Sequence, residues 1–266
     1  TLTATRARVA DLPWVRGEVP EDATGSFRLA LEPRPGDRTA LRMTDLALSA
    51  PGSSATGSMV AILGGESPIL ESIDVRVDPL SLDLVEAFTG PLPYGGQVSG
   101  QIQGGGGEIE FDLRGELVTS AAAEPFVTDL TGQVRVTEAG VEIRTVTAGL
   151  DQVPLAALEA LAPGLPLRGM VSGSIRMNGS PDAAPLTVDI RLEAGGGVIT
   201  ANGIVDLTGS TPSYDLSGRL AGVDLRQVTE PSVPPVQLHG EFELEGSGTD
   251  PTTADARLLA RGAFTG

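Results

Sequence analysis

Residues 166–192 read PLRGMVSGSIRMNGSPDAAPLTVDIRL, and alternation of this kind leaves a chain few options. Ile175 and Met177 alternate with Ser174, Arg176 and Asn178. Leu186, Val188, Ile190 and Leu192 alternate with Thr187, Asp189 and Arg191. A period of two puts the apolar set on one face of a strand and the charged set on the other. NGSPDAAP between them is turn chemistry: Asn178-Gly179 tolerates positive φ, and Pro181 and Pro185 are excluded from a central ladder. The segment is therefore expected to be a hairpin with one oily and one wet face.

The rest of the chain repeats this unit. Among its 266 residues are 35 Gly and 20 Pro but only 3% aromatics, which favours many short strands and turns over a dense aromatic core. Gly25 opens a strand in which Phe27, Leu29 and Leu31 share a face. EPRPGDR (32–38) turns, and TALRMTDLALS returns. Its alternation slips phase at Thr44-Asp45, which predicts a bulge. Segments 78–90 and 153–164 read as short helices. The first has Asp78 as N-cap, Pro79 in its first turn and Gly90 past its end; the second has Pro154 early and Gly164 beyond. GGGG (104–107) and TEAG (137–140) read as hairpin turns. Asn202-Gly203 carries the strongest short hairpin signal in the chain. Asp11-Leu12-Pro13-Trp14 reads as a short turn or helical piece.

Aligning these pieces exposes a repeat. Gly25, Gly100, Gly173 and Gly240 each precede an apolar residue two positions on: Phe27, Ile102, Ile175 and Phe242. A short segment built on Asp-Leu or Pro-Leu lies before each: Asp11-Leu12, Asp83-Leu84, Pro154-Leu155 and Asp224-Leu225. A fixed period with uniform chemistry marks a repeat architecture whose units bury their apolar faces by stacking. The expectation is a mostly β fold: repeated antiparallel hairpins extending one continuous sheet, with a few short connector helices. The approximate units are 1–72, 73–146, 147–213 and 214–266. The pattern begins and ends mid-strand, so the chain reads as an internal fragment of a longer polypeptide.

Net charge is −17, and all 18 basic residues are Arg. An acidic surface repels nucleic acid. Cysteine is absent, which removes disulfides, thiolate metal sites and cysteine nucleophiles. No run of 18 apolar residues is present. His239 stands alone, and one His makes neither a zinc site nor a serine triad. Glu241, Glu243 and Glu245 alternate with Phe242 and Leu244. They read as a solvated face rather than a calcium cage, because loop-spaced Gly and Asn are missing. Gly104–Gly107 lacks the Lys and helix of a phosphate loop. A polysaccharide-cleaving β-helix would need aromatic platforms and a carboxylate pair, which are not evident. No enzyme and no cofactor is expected.

The stretch DLSGRLAGVDL (215–225), and segment 167–192 with Gly169, Gly173 and Gly179, resemble the AsmA-like and TamB-like proteins of bacterial envelopes. The resemblance extends over essentially the whole chain. It implies that the hairpins form an elongated, curved, open β-groove in the periplasm, lined with apolar side chains and anchored to the inner membrane by a segment absent here. It also implies conduction of lipid between inner and outer membranes, or support of outer-membrane assembly. The implied partners are phospholipid acyl chains and, through regions outside this chain, an outer-membrane assembly barrel protein. From the alternation, the candidate lining is Phe27, Leu29, Ile102, Ile109, Phe111, Ile175, Met177, Val188, Ile190, Phe242 and Leu244. The alternative is a structural or adhesive β-repeat with a closed core that binds a protein partner.

Overall fold

The computed structural model describes residues 2–8, 22–64, 69–119, 125–137, 140–160, 168–229, 236–248 and 255–265. Within them the chain is a succession of fifteen strands. These are β1 (Leu2–Arg8), β2 (Thr24–Arg34), β3 (Arg38–Ala50), β4 (Ser53–Leu63), β5 (Ile69–Ser81), β6 (Gly95–Gly105), β7 (Glu108–Val118) and β8 (Phe126–Thr137). They continue as β9 (Gly140–Pro154), β10 (Met170–Gly179), β11 (Leu186–Ala194), β12 (Gly197–Asp206), β13 (Ser213–Asp224), β14 (Gln237–Ser247) and β15 (Asp255–Thr265). Each strand hydrogen-bonds to the next, and the order runs from β1 to β15 without closing on itself. The mostly β, open antiparallel fold expected from the alternation is what forms.

The chain falls into two compact units, residues 1–117 with 131–140 and residues 118–130 with 141–266. The first holds β1 to β7 and the second half of β8; the second holds the first half of β8 and β9 to β15.

Connectors interrupt the meander every four strands. Helix α1 (Leu82–Thr89) precedes β6, a 3₁₀ segment (Leu155–Ala160) precedes β10, and α2 (Leu225–Val228) precedes β14. The repeat glycines therefore sit on β2, β6, β10 and β14, one four-strand step apart. The boundaries expected at 72/73, 146/147 and 213/214 fall inside β5, β9 and β13.

The connectors differ from expectation at their ends. Asp78 and Pro79 still belong to β5, and Ser81 caps α1, its hydroxyl accepting from the Asp83 N–H at 3.2 Å. Gly90 closes that helix, donating its N–H to the Glu86 carbonyl at 2.9 Å. The second expected helix is a 3₁₀ segment beginning at Leu155, after Pro154 has ended β9. Asp224 caps α2 by accepting from the Arg226 N–H. The Asp11–Trp14 piece, Gly164 and the middle of TEAG lie outside the described residues.

Burial concentrates at these connectors. In the first unit Ala55 and Val77 lie opposite each other and are buried, as are Leu84 and Ala87 of α1. In the second, Val153 and Val171 pair across β9 and β10, with Leu155 and Ala157 of the 3₁₀ segment also buried. Val153 and Val171 are the largest wholly buried side chains among the described residues.

Turns follow backbone demands. Gly106-Gly107 (φ 62° and 86°) joins β6 to β7, and Gly195-Gly196 (φ 57° and 73°) joins β11 to β12. Two successive positive φ values give the turn whose twist matches a hairpin. Asn202-Gly203 is not a turn: it lies within β12, because Gly195-Gly196 already reverses the chain six residues earlier. The bulge expected at Thr44-Asp45 is present. Register shifts between Met43 and Leu46, Asp45 adopts φ 53°, and its carboxylate meets Arg28 at 3.5 Å.

Three of the four repeat glycines do the same work. A Cβ on Gly100 would overlap the Asp112 carbonyl oxygen and lie 2.9 Å from Leu113 Cα; on Gly173 it would overlap the Arg191 carbonyl; on Gly240 it would lie 2.6 Å from Gly262 Cα. Gly25 differs: a Cβ there meets only the Ala47 carbonyl, at 3.8 Å. Alanine at Gly100, Gly173 or Gly240 is expected to cost about 1–3 kcal/mol of unfolding free energy, as for other overpacked sites. Alanine at Gly25 is expected to stay within about 0.5 kcal/mol. Urea unfolding of the four variants checks the contrast.

Candidate functional site

Residues directly opposite in an antiparallel pair share a face, so register carries one strand's apolar set to its neighbour. In the second unit this builds continuous rows. One runs Ala148, Ile175, Ile190, Ala201, Gly218, Phe242, Ala260 across β9 to β15. The next runs Val146, Met177, Val188, Gly203, Leu216, Leu244, Leu258, and a third Leu150, Gly173, Leu192, Ile199, Leu220, Gly240, Gly262. No charged or hydroxyl-bearing residue enters any of the three.

The opposite face is mostly polar, with Ile204 and Leu259 as exposed exceptions. Its rows include Ser174, Arg191, Thr200, Arg219, Glu241, Arg261 and Arg176, Asp189, Asn202, Ser217, Glu243, Leu259. Along β14 the apolar set is half-buried, and Gln237, His239, Glu241, Glu243 and Glu245 are exposed.

The first unit is built alike. Leu29, Met43, Met59, Ile73 and Gly104 form one row, and Gly57, Val75 and Ile102 another. Ile109 backs onto Gly104 and Leu113 onto Gly100, so the two-residue step sets Phe111 opposite Ile102. Phe27 lies opposite the Asp45 bulge, between the pairs Ser26–Ala47 and Arg28–Thr44. The bulge lets Met43 and Leu46 both keep to the apolar face although they stand three positions apart, an odd step that would otherwise change face.

The expected lining residues thus fall into two sets. Ile175, Met177, Val188, Ile190, Phe242 and Leu244 occupy two rows of the second unit. Phe27, Leu29, Ile102, Ile109 and Phe111 belong to the first. Ile175 faces Ile190, and Met177 faces Val188, directly. Leu192, Ile199, Leu216, Leu220, Met43 and Met59 share these faces and were not among the expected lining. The alternation Tyr214, Leu216, Gly218, Leu220 was the signal for the central part of this set.

The rows are half-buried rather than sealed. Of the eleven expected residues only Val188 is buried, and Leu258 on the last strand is 64% exposed. Aromatic rings substitute for missing side chains. A Cβ on Gly218 would lie 2.6 Å from Phe242 Cζ, and one on Gly246 2.8 Å from the Tyr214 hydroxyl, so each ring covers a neighbouring glycine.

No acid–base or metal chemistry gathers on this face. Among the described residues no group of three or more His, Asp or Glu side chains is placed to hold a metal ion. His239 is exposed on the polar face, its Nδ1 accepting from the Gly222 N–H at 3.2 Å. In the first unit the polar face is laced by ion pairs, Arg34 with Glu71 and Arg42 with Glu32 at 3.1 and 3.0 Å. The Arg42 hydrogen bond and charge hold the Glu32 carboxyl below its ordinary value. Among the described residues no helix is long and apolar enough to cross a membrane.

The face assignment is testable without a ligand. Ile190→Asp places a carboxylate among apolar neighbours and is expected to cost about 1–3 kcal/mol. Thr200→Asp, on the other face, is expected to stay within about 0.5 kcal/mol. Equal costs in denaturant titration would refute the two-faced arrangement. No family model, curated protein or solved structure matches this chain.

Proposed function

We propose that the chain is a β-groove segment of an AsmA-like or TamB-like envelope protein, and that its apolar rows shelter lipid acyl chains. On this reading it works in the periplasm, attached to the inner membrane by a segment outside this chain. It passes phospholipid tails between the inner and outer membranes or supports outer-membrane assembly. One observation carries the reading: in the second unit three rows of seven residues contain no charge, yet their side chains stay half-open.

The energetics favour sliding over capture. Sheltering an acyl chain is worth roughly 0.8 kcal/mol per methylene fully covered. An open face covers part of each methylene, and consecutive positions along a row offer similar shelter. A lining of Ile, Leu, Val and Met, with Phe242 the one phenylalanine in the rows of the second unit, gives no deep anchoring pocket. The alternative of a closed-core adhesive module fits less well, because ten of the eleven expected lining residues are only half-buried.

Protein purified without detergent should carry lipid detectable by mass spectrometry of an organic extract. Ile175→Asp and Ile190→Asp should each remove most of it while circular dichroism still reports strands. Arg191→Asp, one residue from Ile190 on the other face, should leave it in place. Lipid-free wild-type protein that also fails to bind a fluorescent fatty acid would sink the proposal.

A further inference from the structure

A shallow cavity of about 400 Å³ opens in the second unit, lined mainly by the polar rows, with Ala201, Gly218 and Phe242 of the first apolar row also contributing to its wall. Strands β11 to β15 all contribute to its wall. Four inter-strand steps of ~4.8 Å make it roughly 19 Å long, and two side-chain rows make it roughly 7 Å wide. It is a slot lying across the strands.

Its two arginines are unspent. Arg219 and Arg261 both stand opposite Glu241 in register, yet among the described residues neither guanidinium makes a hydrogen bond or ion pair. In the first unit, by contrast, Arg34, Arg42 and Arg135 are each tied to a glutamate. The Ser217 hydroxyl donates to Asn202 Oδ1 at 3.1 Å, which leaves the Asn202 amide N–H groups to point a donor pair at a ligand. Leu259, 42% exposed on the same face, adds an apolar patch.

Charge selects among ligands. Asp189, Glu241 and Glu243 against Arg219 and Arg261 leave the lining near balance, so no simple ion is strongly attracted. What the slot offers is donors and acceptors interleaved along a line, with apolar contacts from Leu259, Phe242 and Ala201. A sugar hydroxyl both donates and accepts, and a sugar ring has C–H faces. We propose that this slot binds a linear, uncharged oligosaccharide. The proposal goes beyond the acyl-chain reading and stands or falls separately from it.

The test is NMR titration of the whole chain with uncharged linear tetrasaccharides of glucose and of N-acetylglucosamine. Saturable amide shifts confined to β11–β15 are expected for at least one of them. Arg219→Ala and Asn202→Ala should each weaken binding about tenfold, a loss of ~1.4 kcal/mol. Arg76→Ala, on the first unit, should change nothing. The proposal is overturned by the absence of saturable shifts up to about 10 mM sugar, a limit near 3 kcal/mol of affinity. It is equally overturned if the two variants bind undiminished, or if an acidic peptide or polyuronate binds there in preference and is displaced by salt.

Discussion

Strand register is the constraint on which everything else rests. Side chains alternate with period two, so a slip of one residue between neighbours would carry a whole apolar set to the wet side. Across β10 to β13 the ladders run with no shift from Ile175–Ile190 through Ile190–Ala201 to Ala201–Gly218. The three apolar rows exist only because each of these pairings is in phase. Where a shift does occur, as at Asp45, the extra residue restores the phase instead of breaking it.

Close approach of neighbouring backbones is the second requirement. Glycines within strands, such as Gly173 and Gly203, sit where a side chain would collide with the carbonyl of the next strand. The bare patches this leaves on the apolar side are partly roofed by rings, Phe242 over Gly218 and Tyr214 over Gly246. The scarcity of aromatics in the composition is then less of a handicap than it looks. A few rings are placed where glycine has left backbone uncovered, and none is needed to fill a thick interior.

Much of this was legible in the sequence, because alternation is a local property. The strands, the hairpin at 170–194, the bulge at Asp45 and the solvated Glu241–Glu243–Glu245 face all follow from residues within a few positions of each other. Asn202-Gly203 misled because a strong turn dipeptide and an in-strand glycine look alike until the neighbouring strand is known. What decided between them was the Asp215 carbonyl, which lies against Gly203 from β13. The start of α1 was also misplaced, since Asp78-Pro79 carries capping chemistry but its backbone is held in the ladder of β5. Leu216 and Leu220 escaped the expected lining for a related reason. Their alternation was visible, but membership of a row depends on which residue faces which across strands, and turn lengths and bulges set that.

The connectors at every fourth strand have an implication for how such a chain can change in length. Because β6, β10 and β14 follow connectors in the same relative place, duplicating or deleting a four-strand block returns the polypeptide with its oily side unchanged. A change of a single strand would leave the connector on the wrong border of the sheet. Reach can thus be adjusted in whole modules, by recombination rather than by point mutation, without re-solving the packing problem at each step.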